Sequence, residues 1–102
     1  MENQTEQTEV IDLEEYAKQR KNPPKEGVVY RFRVGKVFGE SNIALVTGSE
    51  ILEKVGLNPN QNKLYQKLHG GSREPIGINE TVDLSKPGIE RFETIPLDAT
   101  EG

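Results

Sequence analysis

The stretch "TGSEILEKVGL" (Thr47–Leu57) organises the chain, because it carries both ends of one short helix. Thr47 stands three residues before Glu50, the spacing of a capping box, in which each side chain accepts a hydrogen bond from the other residue's free backbone N–H. Three apolar residues share one face of this helix: Ile51, Leu52 and Val55. Gly56 can adopt the left-handed conformation that ends a helix, with Leu57 folding back onto the last turn. The stretch therefore predicts a helix of two to three turns with one buried face.

The sequence before this helix has the period-two pattern of strands. In "VVYRFRV" (Val28–Val34) apolar residues alternate with Val29, Arg31 and Arg33, which predicts a strand with one buried face. Gly35–Lys36 and Gly39–Asn42 are typical of a turn and a loop. A second strand is predicted over Asn42–Val46, antiparallel to the first.

The sequence after the helix predicts three further strands. The expected elements are a strand at Lys63–Leu68, a loop at His69–Pro75, a short strand at Ile76–Ile78, a turn region in which Val82 and Leu84 enter the core, and a final strand at Ile89–Ile95. The last strand alternates Ile89, Arg91, Glu93 and Ile95 with Glu90, Phe92 and Thr94, and this mixed pattern leaves open which face is buried.

This order of elements predicts an α+β domain over residues 27–97. One helix across a mixed sheet of four to five strands, in this order, is the β-grasp architecture of ubiquitin. In that architecture the first and last strands lie side by side at the centre of the sheet. The strongest strand patterns, at Val28–Val34 and Ile89–Ile95, stand at the two ends of this region, as the architecture requires.

Residues 1–26 are predicted to form a flexible arm. They contain seven acidic and four basic residues and few apolar ones, which leaves little apolar area to offset the entropy of ordering. Within the arm, Val10–Lys21 can form a helix with Asp12 as its N-cap. Two interpretations remain open, a transient helix in a disordered arm or a docking segment for a partner. Pro23 and Pro24 end any such helix.

The composition excludes several classes of function. The net charge of -4 argues against nucleic acid as the main partner, because phosphate binding needs a concentrated basic surface. The chain has no Cys, and with His69 as its one histidine it offers no multi-histidine metal site. We expect no metal, no cofactor and no enzymatic activity. The chain has neither a long apolar run nor a signal peptide, which predicts a cytoplasmic monomer without a membrane anchor.

The motifs "TGSEIL" and "VDLSKPGIERFET" resemble those of bacterial multiubiquitin domains, over residues 28–96. The arm motif "IDLEEYAKQRKNPP" also resembles the segment that precedes such domains. The resemblance implies a ubiquitin-like protein modifier in a conjugation pathway that serves phage defence. The partners it implies are an E1-like activating enzyme, an E2-like conjugating enzyme, a JAB-type peptidase that resembles deubiquitinases, and the target proteins.

The resemblance assigns the chemistry to the flexible tail, residues 98–102. Gly102 would supply the carboxylate that is conjugated, since glycine has no Cβ to crowd the reacting carbon. Leu97 would be the apolar anchor, and Glu101 would need an enzyme cation to offset its repulsion of the nearby carboxylate. The chain departs from ubiquitin in ending Glu101–Gly102 rather than Gly-Gly, and from many family members in having one domain rather than several.

A second candidate surface lies on the sheet. Arg31 and Arg33 alternate on the exposed face of the first strand, and with Arg91 they would form a basic patch that a partner could contact. Fold alone does not separate the functions that β-grasp domains serve. Two alternatives to the modifier therefore stay open: a non-covalent binding module, and a sulfur carrier that uses a terminal thiocarboxylate.

Overall fold

The computed structural model describes residues 9–97. These residues form eight strands and two helices in the following order: β1 (Glu9–Asp12), α1 (Leu13–Lys18), β2 (Val28–Val34), β3 (Val37–Ser41), β4 (Leu45–Thr47), α2 (Gly48–Lys54), β5 (Asn62–Leu68), β6 (Arg73–Ile76), β7 (Thr81–Asp83) and β8 (Ile89–Pro96). The main sheet has the strand order β1-β2-β8-β5-β6, and β3 pairs with β2. The short strands β4 and β7 form a separate two-stranded sheet.

This architecture is the predicted ubiquitin-like β-grasp. The strand β8 lies between β2 and β5, parallel to the first and antiparallel to the second, so the sheet is mixed. The first and last strands of the predicted domain are neighbours at the centre, as expected. The sequence pattern leaves open which residues of the last strand are buried. In the structure, Ile89 and Phe92 are both buried. A register shift at Lys67/Leu68 opposite β8 accommodates this uneven spacing.

The helix α2 has both of the ends that its sequence predicts. The Thr47 N–H donates to Glu50 Oε1 over 2.8 Å, and the Glu50 N–H donates to Thr47 Oγ1 over 3.1 Å, which completes the capping box. At the other end Gly56 has φ +79°, and the N–H of Leu57 donates to the carbonyl of Leu52 over 2.9 Å. A residue with a Cβ would be strained at that φ, so glycine ends the helix.

The core fills the space between α2 and the inner face of the main sheet. Its largest fully buried side chains are Tyr30, Phe92, Ile11, Ile51, Leu52, Leu64, Leu84 and Val46. The rings of Phe32 and Phe92 meet edge to face, with centroids 5.7 Å apart, and so join β2 to β8. Val82 and Leu84 are buried as predicted, with 6% and 0% of their surface exposed.

The second predicted strand, Asn42–Val46, is wrong in its position. The partner of β2 is β3, which begins directly after the two-residue turn Gly35–Lys36 and pairs Val37 with Val34. Gly35 has φ +59°, the conformation that tight hairpins use at their first turn residue. The cluster Gly39–Asn42 was predicted as a loop from its residue types, yet cross-strand pairing places most of it in β3.

The strand predicted at Lys63–Leu68 is confirmed, and the elements after it are shifted. The observed strand β6 covers Arg73–Ile76, most of which was predicted to be loop, and it ends where the strand Ile76–Ile78 was predicted to begin. Pro75 explains the error, since proline lacks the N–H of an interior strand. The strand β6 is the last one in the sheet order, and a proline is tolerated there.

The prediction of a flexible arm over residues 1–26 is wrong for residues 9–18, and residues 1–8 lie outside the described part. The strand β1 pairs in parallel with β2, from Glu9 opposite Val28 to Asp12 opposite Arg31. Asp12 caps α1 as expected, accepting the N–H groups of Glu14 and Glu15 at 3.0 and 3.3 Å. The domain therefore begins before residue 27.

The arm is held by burial and by one ion pair. Ile11, Leu13 and Ala17 are 1–2% exposed, and α1 packs against β8 and β2. Arg33 donates two hydrogen bonds to the Glu14 carboxylate, from Nε to Oε1 over 3.0 Å and from Nη2 to Oε2 over 2.8 Å. These bonds hold the pKa of Glu14 below its ordinary value and raise the pKa of Arg33. The Tyr30 hydroxyl donates to the carbonyl of Pro24, which fixes the connection to β2.

Both β1 and β8 lie along the same edge of β2. Tyr30 pairs with Ile11 of β1 and with Ser41 of β3, so these two strands lie on opposite edges of β2. Val34 pairs with Val37 of β3 and with Phe92 of β8, so β8 is also opposite β3. The strand β1 pairs with the N-terminal half of this edge of β2, and β8 pairs with its C-terminal end. The arm thus occupies a position beside the central strand.

Replacing Ile11 with Ala should lower the free energy of unfolding by about 2–5 kcal/mol, because it leaves a cavity beside Tyr30 in the core. The matched control is Val10→Ala on the same strand, whose side chain is 50% exposed and which should change stability little. Urea unfolding followed by circular dichroism measures both variants. Equal stability of the Ile11→Ala and Val10→Ala variants would show that the arm is not packed.

Acid should weaken the attachment of α1. Because the folded pKa of Glu14 is lowered, its contribution is complete above the unfolded pKa and is lost as the pH falls through the folded pKa. A Glu14→Gln variant should be less stable than the parent by about 1 kcal/mol at neutral pH, and this difference should shrink toward pH 3. Urea titrations across that pH range measure it. A difference that does not change with pH would exclude ionised Glu14 as the cause.

Candidate functional site

The end of β8 is where the predicted conjugation tail leaves the sheet. The ladder with β5 continues to Pro96, which pairs with Asn62. One residue further, the N–H of Leu97 donates to the carbonyl of Gln61 over 2.8 Å. Although Pro96 has no backbone N–H to donate, the backbone of Leu97 is still hydrogen-bonded to the domain. Backbone hydrogen bonding beside β5 therefore continues through residue 97.

Leu97 borders a surface groove of about 420 Å³. The residues that form its apolar surface are Pro59, Leu64, Pro75, Ile76, Ile78 and Leu97. Leu64 and Ile76 are almost fully buried and form the floor, whereas Ile78 and Leu97 are 37% and 48% exposed. Exposed leucine beside an apolar groove is a surface that a partner could cover. The predicted anchor residue therefore lies in a larger apolar surface.

The groove combines parts of the chain that are distant in sequence. Pro59 follows α2, Leu64 lies in β5, Ile76 ends β6, and Ile78 stands just beyond it. Sequence reasoning found Leu97 alone, since no local pattern links these segments. Within the sequence, only Ile78 pointed to this groove. It is an apolar residue between a glycine and an asparagine, and it does not belong to the core. Gly102 and Glu101, the other two predicted tail residues, lie outside the described part.

The three arginines of the predicted basic patch have different surroundings. Arg33 is paired with Glu14, and its Nη1 also donates to the carbonyl of Gly35 over 2.9 Å. Arg31 places its guanidinium 4.2 Å from the centroid of the Phe38 ring, a cation–π contact. Both side chains are only partly exposed. Of the two, Arg31 alone has no carboxylate within ion-pairing distance among the described residues.

Arg91 belongs to a network of alternating charges on β8. Its Nη2 lies 3.1 Å from Glu93 Oε2 and its Nη1 lies 3.2 Å from Glu90 Oε1. Glu93 also pairs with Arg73 over 3.2 Å, and Glu90 lies 3.5 Å from His69 Nδ1. Each positive charge here faces a carboxylate. Arg33 and Arg91 therefore do not present the uncompensated positive charge that the sequence suggested, although a role in partner binding stays a prediction.

The described residues show no group of three or more metal-ligating side chains of the His, Cys, Asp and Glu types. No helix among them has the length and apolar character needed to cross a bilayer.

Comparison with known proteins gives one match. The family model described as multiubiquitin covers residues 30–96, from β2 to the last residue of β8. A search of curated proteins and a search of solved structures each gave no significant match. The matched region spans more than half of the chain and contains the sheet, the helix α2 and the strand that leads to the tail. The chain therefore belongs to the multiubiquitin family.

Proposed function

We propose that this protein is a ubiquitin-like modifier that is conjugated to target proteins through Gly102. The observation that supports this most is where the family region ends, at residue 96 on the last strand. The chain continues from there as a hydrogen-bonded Leu97 and a short tail that ends in glycine. Such an arrangement gives an enzyme a fixed apolar contact and a reactive end that extends beyond it.

The proposed chemistry is acyl transfer in four steps. The Gly102 carboxylate attacks the α-phosphorus of ATP and expels pyrophosphate, which forms an acyl-adenylate. A cysteine thiolate of the E1-like enzyme then displaces AMP, and the acyl group passes to a thiolate of the E2-like enzyme. An amine of the target finally displaces that thiolate, and the amide formed is the bond that the JAB-type peptidase would hydrolyse. The protein itself contributes no catalytic group.

Reach and charge fit this role. Gly102 is five residues after Leu97, and an extended chain of that length spans about 17 Å, enough to enter a narrow enzyme channel. Glu101 places a second negative charge beside the reacting carboxylate, so the activating enzyme would need a cation there. We further propose that the protein acts as a monomer in the bacterial cytoplasm, in a pathway of phage defence.

Deleting Gly102 should abolish adduct formation with the activating enzyme, because the carboxylate would then belong to Glu101, with a side chain on the reacting residue. Stability should be unchanged, since a terminal residue contributes little to folding. Intact-protein mass spectrometry after incubation with ATP and the candidate enzyme measures the adduct. If the shortened chain reacts as readily as the full chain, the modifier function is wrong, and a non-covalent binding module becomes the better explanation.

Replacing Leu97 with Ala should lower kcat/KM for activation by about fivefold or more, as expected for the loss of an apolar contact of about 1–3 kcal/mol. Ile95→Ala is the matched control, because Ile95 is similarly exposed, 45% against 48%, but does not border the groove. Its kcat/KM should stay near that of the parent. Equal effects of the two substitutions would exclude the groove as the specific contact.

A further inference from the structure

The helix of the arm is completed at both ends by residues of the arm itself. Asp12 caps its start. At its end the N–H of Lys21 donates to the carbonyl of Tyr16 over 2.9 Å, and the Lys21 ammonium lies 5.4 Å from the centroid of the Tyr16 ring. Residues 9–21 therefore form one unit, whose local structure does not need the residues that follow.

Most of the contacts that hold this unit are made with β2 and β8. The strand β1 pairs with β2, α1 packs against β8, and Glu14 pairs with Arg33. A second copy of the chain offers the same edge of β2, the same surface of β8 and the same arginine. An arm that crossed to another copy would therefore make the contacts that it makes in its own copy, which is the basis of domain swapping.

The connection between the arm and β2, residues 22–27, is the segment that would differ between the two arrangements. The structure describes all of it, and it contains no helix or strand. All of its residues except Pro23 are exposed. Pro23 and Pro24 favour an extended backbone at the residue before each of them. One side-chain bond fastens the connection, from the Tyr30 hydroxyl to the carbonyl of Pro24.

Gly27 ends this connection directly before β2, and it has φ +81°. This left-handed conformation belongs to the arrangement in which the arm lies on its own β2. Glycine adopts negative φ equally well, so the same residue also permits an extended connection that leads the arm away. A hinge needs a residue that can absorb such a change of backbone angles. Gly27 is therefore suited to be the pivot of the arm.

We propose that two copies of the chain exchange their arms, so that β1 of each copy completes the β2 edge of the other. Gly27 changes from the left-handed to an extended conformation, and the connection then spans the two copies. The net charge of -4 on each copy opposes the association. The exchanged dimer is therefore favoured by high protein concentration and by salt, which screens this repulsion.

The exchange leaves the opposite end of the sheet free. The strand β8 is parallel to β2 and its ladder with β5 continues to Pro96, so the tail leaves the sheet at the end away from the connection. The exchanged dimer therefore carries two tails. The exchange does not depend on the proposed function, in which the monomer acts, because it uses no residue of the tail. If Gly102 is conjugated, one attached copy would carry a second copy with it.

A disulfide between two different copies detects the exchange, because the chain itself has no cysteine. Val10 and Val29 are cross-strand partners in β1 and β2. A Val10→Cys chain labelled with ¹⁵N is incubated at high concentration with an unlabelled Val29→Cys chain, and the mixture is then oxidised. The mixed disulfide, identified by mass spectrometry, forms when the arm of one copy lies on β2 of the other. Its yield should rise with protein concentration and with the time of incubation.

The control mixes the Val10→Cys chain with an Ile95→Cys chain. Ile95 lies on β8 opposite Lys63, and it is more exposed than Val29, so random collisions between copies favour the control. The Val10→Cys and Val29→Cys mixture should still give about tenfold more mixed disulfide, because strand pairing holds its two thiols at a high effective concentration. Equal yields from the two mixtures would overturn the proposal.

A second measurement tests Gly27 as the pivot. Alanine at this position is strained at the positive φ of the monomer but not in an extended connection, so Gly27→Ala should raise the association constant about tenfold or more in sedimentation experiments. The control is Gly35→Ala, which is also strained, at φ +59°, and like Gly27 has no other atom near the added Cβ. Because Gly35 lies outside the connection, its replacement should leave the association constant unchanged.

Circular dichroism checks that both alanine variants are folded. An association constant of Gly27→Ala no higher than that of Gly35→Ala would overturn the proposal. If Gly27→Ala does not fold, the disulfide yields of the two mixtures decide, since those chains keep the natural connection.

Discussion

The central constraint in this fold is that β2 must satisfy its backbone hydrogen bonds along both edges. Its inner-facing side chains are buried, and unpaired N–H and C=O groups beside them would cost free energy. The strand β3 covers one edge, but β8 reaches only the end of the other. The arm supplies what is missing, because β1 pairs with the N-terminal half of β2 and α1 then packs beside β8. The arm is thus part of the folded domain.

Local signals in the sequence predicted the elements that are stabilised locally. The capping box and Gly56 define α2, and the alternation in Val28–Val34 defines β2, because both depend on residues close in sequence. The strands β3 and β6 escaped prediction because their residue types, Gly39 and Pro75 among them, are those of loops. The ordered structure of the arm was not predicted, because it depends on residues that are distant in sequence. Arg33, which pairs with Glu14, is one of them. The average hydrophobicity of the arm is low, and this average does not reveal the few apolar residues that are buried.

The candidate site was predictable only in part. Leu97 could be found from its isolation in a polar tail, whereas the groove beside it depends on four segments brought together by the fold. For the basic patch, the sequence overstated the exposed positive charge. Alternation placed Arg31 and Arg33 on one face correctly, but it carries no information on the carboxylates of Glu14, Glu90 and Glu93 that offset Arg33 and Arg91. The net charge of a surface can be assessed only when the positions of both the arginines and the carboxylates are known.

These features place two surfaces around one sheet: the groove at the end of β8 and the arm along β2. Amide hydrogen exchange of the full chain tests directly whether the arm occupies its position beside β2. Ordered pairing predicts that amides of Val10–Asp12 include some that exchange as slowly as those of β8, since exchange there requires opening of the sheet. Exchange of every amide from Glu9 to Lys18 at the rate of an unfolded peptide, with β2, β3 and β8 still protected, would contradict it.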